Sequence, residues 1–428
     1  YTVRLTDQRD RALRNEAKAE QVAAFMTDMF GFADPAQSRG ADITAREILT
    51  VGAEKVESGL ADQPRVQAAM LDVLGNVHAK LGMYDEGRDL YDRSLALKNR
   101  EYGGDHLELA STLSGAGLME AEVGRYAEAE SLLNLALTIH RAEITPPGRE
   151  EAGNLQGLGF LTALTNRYDE SEAYYLAAKA IYERDPALQD ENYATCLNDY
   201  ALLLLESGRG SESEPMFRQA LDIHRHRLGE NHPEVSNTLF NLALLYRDRG
   251  DFKAAEPIQR QVLALDRQHY DANHPTVAYS LMSLGNTLVE NGQFEEAERN
   301  FREALEIRRA TLEPGHPDIV KNLGTVGLTM CRGGDYGGAE PVLREAAAMG
   351  KEHLGNHRIT AGRLDDLGWL MKDLGRYDEA LGYHEEALAI KLEVLGPEHK
   401  NTGITWMHLA RAHQGLGDLE AALSAQKK

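Results

Sequence analysis

Apolar residues recur along this chain at the spacing of a helix face, and the helical stretches come in pairs. Residues 274–315 are typical. A helix is predicted from Pro275 through Glu290, a break at Asn291-Gly292-Gln293-Phe294, and a second helix to about Leu312. The residue closing each break falls at Tyr84, Tyr126, Tyr168, Gly210, Phe252, Phe294, Tyr336, Tyr377 and Leu419. Successive separations are 42 residues, with a single 41 between Tyr336 and Tyr377. A fixed period in this range is the signature of a solenoid, in which each pair of helices stacks on its neighbours. The expected organisation is a lead-in helix (about 6–30) and linker over residues 1–41, a half-repeat helix over 42–62, and nine repeats over 63–428 with the last truncated.

Other positions keep the same register. Nine residues before each closing residue stands only glycine or alanine, from Gly75 and Gly117 to Gly368 and Ala410. Glycine in a helix interior is unfavourable by about 1 kcal/mol relative to alanine, so its recurrence implies a helix crossing too close for a larger side chain. Thirteen before it stands leucine, as in Leu239, Leu281 and Leu323, with Trp406 in the last repeat. The break carries a glycine, replaced in the third repeat by Asn166, the residue type that next best tolerates a left-handed conformation.

Charge narrows the choice of partner. The net charge is −22, which argues against nucleic acid, because phosphate binding rests on clustered Lys and Arg. Two cysteines, Cys196 and Cys331, lie about three repeats apart and form neither a disulfide framework nor a metal knuckle. No run of eighteen apolar residues is present, so no membrane insertion is expected. The opening at Tyr1 and the stop at Lys428 inside a helix suggest a piece of a longer polypeptide.

Candidate chemistry is sparse. His106, His232, His274, His316, His357 and His399 share one register position just before a first helix. Neighbouring packed helices lie about 8–10 Å apart, so these histidines form a row and not a metal cluster, and capping or turn packing is the expected role. His224-Arg225-His226-Arg227 ends a second helix, where cations suit the helix dipole. Asp365-Asp366 is a carboxylate pair without a nucleophile or glycine-rich pocket; the two point about 100° apart on a helix and do not suggest acid–base catalysis. No enzyme activity, cofactor or metal is predicted.

The sequence Gly285 … Asn291-Gly292-Gln293-Phe294-Glu295-Glu296-Ala297 … Ala304 resembles the tetratricopeptide repeat. The 42-residue period, with Leu228-Gly229-Glu230-Asn231-His232-Pro233-Glu234-Val235 ahead of Leu239-Phe240-Asn241-Leu242-Ala243, is similar to the longer variant of kinesin light chains. The resemblance implies an all-α, right-handed solenoid of helical hairpins that binds protein or an extended peptide along a concave face lined by the first helix of each hairpin. Eight places before the closing residue, Leu118, Phe160, Leu202, Leu244, Asn286, Leu328, Trp369 and Arg411 form a ribbon that serves either packing between neighbouring first helices or a groove. Asn198, Asn241, Asn286 and Lys321 fall where peptide-binding relatives hold backbone or carboxylate groups, with Phe240, Leu244, Tyr279 and Met282 as apolar neighbours. The two-lysine, two-asparagine carboxylate clamp of chaperone-binding relatives is incomplete. Glu206, Asp248, Glu290, Asp365 and Asp373 favour a ligand with basic residues.

Residues Glu16 to Leu49, with Ala33-Asp34-Pro35 and Ile43-Thr44-Ala45-Arg46-Glu47-Ile48-Leu49, resemble the segment that follows the kinase and membrane-spanning regions of bacterial serine/threonine kinases with C-terminal repeats. That resemblance implies a docking or sensor arm outside the cytoplasm. The alternative is a stand-alone cytoplasmic adaptor for complex assembly.

Overall fold

The computed structural model describes residues 45–427 apart from 105, 144 and 145. The predicted lead-in helix and most of the kinase-like stretch lie outside the described residues. Every element described is helical. The chain forms two compact units that divide between Arg209 and Gly210.

The first unit opens with α1 (Ala45–Gly59). Three hairpins follow: α2 (Pro64–Lys80) with α3 (Tyr84–Tyr102), α4 (Leu107–Val123) with α5 (Tyr126–Glu143), and α6 (Arg149–Leu164) with α7 (Tyr168–Arg184). It ends at α8 (Glu191–Glu206). The second unit begins with α9 (Gly210–Leu228) and adds five hairpins. These are α10 (Pro233–Asp248) with α11 (Phe252–His269), α12 (Pro275–Glu290) with α13 (Phe294–Thr311), α14 (Pro317–Arg332) with α15 (Tyr336–Leu354), α16 (Arg358–Asp373) with α17 (Tyr377–Val394), and α18 (Lys400–Leu416) with α19 (Leu419–Gln426). Within each unit the two helices of a hairpin pack together, and the second packs on the first helix of the next hairpin. In the second unit one apolar cluster runs from Leu263 to Ala412 without interruption.

The glycine register is explained by a close crossing inside each hairpin. A Cβ on Gly285 would sit 2.5 Å from the Phe301 ring, one on Gly159 3.0 Å from Tyr175, and one on Gly117 2.8 Å from Leu133. The large side chain seven residues into the second helix thus lies directly over the backbone of the first. The register leucines seal the same interface; Leu239, Leu281 and Leu323 are all buried. At the break, Gly292 has φ +77° and Asn166 has φ +58°, the one non-glycine residue with positive φ among those described.

The histidine row caps helices. In His106, His232, His274, His316, His357 and His399 the ring Nδ1 accepts the backbone N–H two residues on, at 3.1–3.2 Å. Each therefore satisfies one of the amides that a helix start leaves unpaired. His106 and His274 also stack on Tyr102 and Tyr270, with ring centroids 4.7 and 4.3 Å apart.

Two polar patterns tie neighbouring hairpins together. The first is buried. Fourteen residues after the closing residue stand Lys98, His224, Asp266, Arg308 and Lys391, each reaching a polar group on an adjoining first helix. Lys98 Nζ donates to Asp72 at 2.5 Å and to Thr112 at 2.7 Å. His224 meets Thr238 at 3.1 Å, Asp266 accepts from Ser236 at 2.8 Å, and Arg308 donates to Asn322 at 3.0 Å. The second pattern lies nearer solvent. A glutamate four residues after the closing residue accepts from the turn of the next hairpin: Glu130 from Arg167 at 2.9 Å, Glu172 from Arg209 at 2.7 Å, Glu214 from Arg249 at 2.5 Å and Glu340 from Arg376 at 2.8 Å.

Three outcomes are expected. Gly285→Leu overpacks the crossing with Phe301 and should lower stability by about 1–3 kcal/mol, read as a drop in thermal midpoint. His274→Ala removes a cap and should be unfavourable by about 1 kcal/mol, whereas His274→Asp restores most of it; urea titration distinguishes the two. Hydrogen bonds from Arg249 and Tyr246, against the opposing effect of burial, hold the Glu214 carboxyl down to about 2 from an ordinary 4.5. Its folded value is depressed, so its stabilisation is present above the ordinary value and is lost as pH falls toward 2. Glu214→Gln should therefore destabilise by about 1–2 kcal/mol at pH 7, with the gap to the parent closing as pH falls from 4.5 toward 2 in parallel urea titrations.

Candidate binding surface on the first helices

Each first helix buries its register leucine and glycine against the hairpin partner. The residue next to that glycine is turned about 100° away, which brings it toward solvent. In the first unit this exposes Leu118 and Phe160, each at 39%. Leu118 still reaches the neighbouring first helix, where a Cβ on Gly157 would lie 3.1 Å from it. In the second unit Leu244, Leu328 and Trp369 are half-buried, whereas Asn286 and Arg411 are exposed.

The eight predicted site residues do not share one environment. Asn198 lies in the first unit and the other seven in the second. Asn198 and Asn241 are only 3% and 6% exposed, so their amides face packed protein. Phe240 on α10 is half-buried and packs against Tyr279 on α12, with ring centroids 5.3 Å apart; Tyr279 is 60% exposed. Leu244 is half-buried, and Met282 rests on the apolar core. Asn286 and Lys321 are exposed. The Lys321 ammonium pairs with Asp318 at 3.1 Å, a surface contact of small energetic value. Its carbonyl accepts from Arg363 at 3.0 Å.

The acidic candidates divide likewise. Glu206, Asp248, Glu290 and Asp373 occupy one register, four before the closing residue. Glu206 and Asp248 are exposed. Glu290 pairs with Arg332 at 2.9 Å, and Asp373 with Lys372 at 2.6 Å. Asp365 belongs to the interior, contrary to its expected place in a groove. It accepts from Lys391, from Thr405 at 2.7 Å and from His384 at 2.8 Å. Burial would raise its pKa, but the His384 hydrogen bond and the Lys391 charge hold it well below the usual carboxylate range. Asp366 points elsewhere and pairs with Arg363 at 3.0 Å. Burial pushes its carboxyl up to about 6 against the pull of Arg363. The basic run at the end of α9 is also not uniform: His224 is fully buried, and Arg225 pairs with Glu230 at 3.0 Å.

Arginines that bridge adjacent first helices are not evident from the repeat pattern. Arg332 stands at a register where most repeats carry an acid and meets Glu290, 42 residues earlier. Arg363 reaches the Lys321 carbonyl across the same interval. Arg247 donates to Ser283 at 3.3 Å, and burial pulls its pKa down against the opposing influence of Tyr279. The one signal for them in the sequence is a charge at a register where most repeats carry another kind of residue.

Sequence profiles described as the tetratricopeptide repeat match residues 66–142, 151–225, 197–268 and 353–428, and a second profile of that description matches 277–318. No curated protein matches in sequence. Among solved structures, the apo form of RapI is similar over 84% of this chain and 95% of its own, with a TM-score of 0.65 at 13% identity. The apo form of the quorum sensor NprR from B. thuringiensis is similar over 83% and 97%, with a TM-score of 0.56 at 13% identity. BtubC from P. vanneervenii is similar over 54% and 94%, with a TM-score of 0.48 at 21% identity. No described helix is long and apolar enough to cross a membrane.

Proposed function

Because the chain belongs to the tetratricopeptide-repeat family, we propose that it is a protein-binding scaffold whose second unit holds an extended peptide along α10, α12 and α14. The observation that carries this reading is the Tyr279 ring, mostly exposed yet packed on Phe240, on a face that also exposes Asn286 and Lys321. An aromatic ring in that setting offers a large contact area at small entropic cost. An asparagine amide supplies both donor and acceptor for a peptide backbone, and Leu244 adds apolar wall. The exposed Asp248 on α10 favours a basic residue in the ligand. Asn198 and Asn241 contribute to the packing beneath the surface in this reading.

The resemblance over residues 16–49 supports a finer version, in which the array is the docking arm of a bacterial serine/threonine kinase. The alternative is a stand-alone adaptor for complex assembly. The two differ in what precedes Tyr1 in the coding sequence, a kinase domain and a spanning helix in the first.

Peptides selected by display against the full chain should be enriched in Lys or Arg and bind measurably by fluorescence anisotropy. Tyr279→Ala combined with Asn286→Ala and Lys321→Ala should weaken them at least tenfold with an unchanged circular dichroism spectrum. Unchanged affinity would refute the placement of the site.

A further inference from the structure

The buried polar layer between hairpins contains one constellation twice. Lys98, Asp72 and Thr112 form it in the first unit. Lys391, Asp365 and Thr405 form it in the second, where Lys391 Nζ donates to Asp365 Oδ2 and to Thr405 at 2.8 Å. The rest of the neighbourhood differs. In the first unit the space beside the aspartate is filled by the Tyr91 ring, whose hydroxyl would lie 2.8 Å from a Cβ on Gly115. The equivalent positions in the second unit are His384 and His408. The lysine–aspartate–threonine cluster thus forms without imidazoles; His384 also fills the crossing over Gly368, but a phenyl or phenol ring serves there in other hairpins, so the choice of two imidazoles has to be explained separately.

Their geometry supplies the explanation. Asp365 lies on α16, His384 on α17 and His408 on α18. Asp365 Oδ1 is 2.8 Å from His384 Nδ1 and 3.9 Å from His408 Nδ1. One donor atom from each residue falls within 4.8 Å of the other two, and the imidazole centroids are 5.0 Å apart. His384 is 1% exposed, yet its Nε2 has no hydrogen-bond partner, and none closes on the buried His408 Nδ1. Unpartnered buried nitrogens are unfavourable. Tetrahedral coordination at 2.0–2.1 Å separates ligand atoms by about 3.3 Å, so small side-chain rotations would bring these three donors to that spacing.

We propose that Asp365, His384 and His408 bind a divalent first-row transition ion, with Zn2+ the best match to one carboxylate and two imidazoles. Lys391 and Thr405 hold Oδ2 and leave Oδ1 facing the histidines, an outer-shell role. The Lys391 ammonium also repels a dication, which places the affinity below that of closed structural zinc sites. His408, at 23% side-chain exposure, provides the way in and leaves the fourth position to water. The site would tie together two successive hairpins through three consecutive helices.

The test uses the full chain, stripped with EDTA and dialysed. Titration with Co2+ should give about one visible ligand-field chromophore per chain, displaced by Zn2+, and Zn2+ should raise the thermal midpoint. The double variant His384→Tyr, His408→Gly copies the Tyr91 and Gly115 arrangement. It should fold and lose both responses. Equal metal uptake by that variant, or no stoichiometric uptake by the parent, overturns the proposal. Should the double variant misfold by circular dichroism, His408→Ala makes the same comparison at a partly exposed position, with at least tenfold weaker Co2+ binding expected and undiminished binding counting against the site.

Discussion

A bulky side chain on one helix lies against bare backbone on its partner, and the stacking of the array depends on that contact. Phe301 over Gly285 and Leu133 over Gly117 leave no room for a Cβ without a shift, and Tyr175 over Gly159 leaves very little. This crossing sets how tightly the hairpin closes, and so how flat a surface it offers to its neighbours. A hairpin still cannot cover its own outer apolar face, so it is stable only beside another. The glycine raises the intrinsic cost of the helix, and the packed ring offsets that cost with buried apolar area.

Stacking alone would let any hairpin sit on any other. The buried polar layer prevents that. Lys98 requires Asp72 and Thr112, Asp266 requires Ser236 and Ser280, and Arg308 requires Asn322. Breaking such a pair strands a buried charge, which is strongly unfavourable, whereas the intact pair adds little net stability. The layer therefore specifies which neighbours match, while apolar burial supplies most of the driving force.

Periodicity makes the fold legible from the amino-acid sequence. Residues that recur at one register report a shared backbone requirement, and Asn166, Gly285 and the histidine caps all follow from that logic. The tetratricopeptide resemblance holds for the same reason. The candidate surface is less legible, because register gives a helix position and not its depth. Asn198 and Asn241 look equivalent to Asn286, yet they stand at neighbouring registers three or four residues away, on the packed side. Asp365 looks like a groove acid, but its partners Lys391, His384 and Thr405 come from two other helices, and the spacings of 26 and 40 residues that link it to Lys391 and Thr405 stand out only once Asp72, Lys98 and Thr112 are seen to share them. The division of the chain falls at Gly210, the one closing residue that is glycine.

The non-uniform interior layer has an evolutionary consequence. Excising 42 residues would leave each remaining helix, its register leucine and its crossing geometry unchanged. Yet a cut that joined α11 to α14 would set the carboxylate of Asp266 against Asn322, which now serves Arg308. Modules that look interchangeable in outline carry individual addresses, so duplication or loss of a unit is penalised unless its contact residues change with it. The array can lengthen only by inventing a new lock at each added joint.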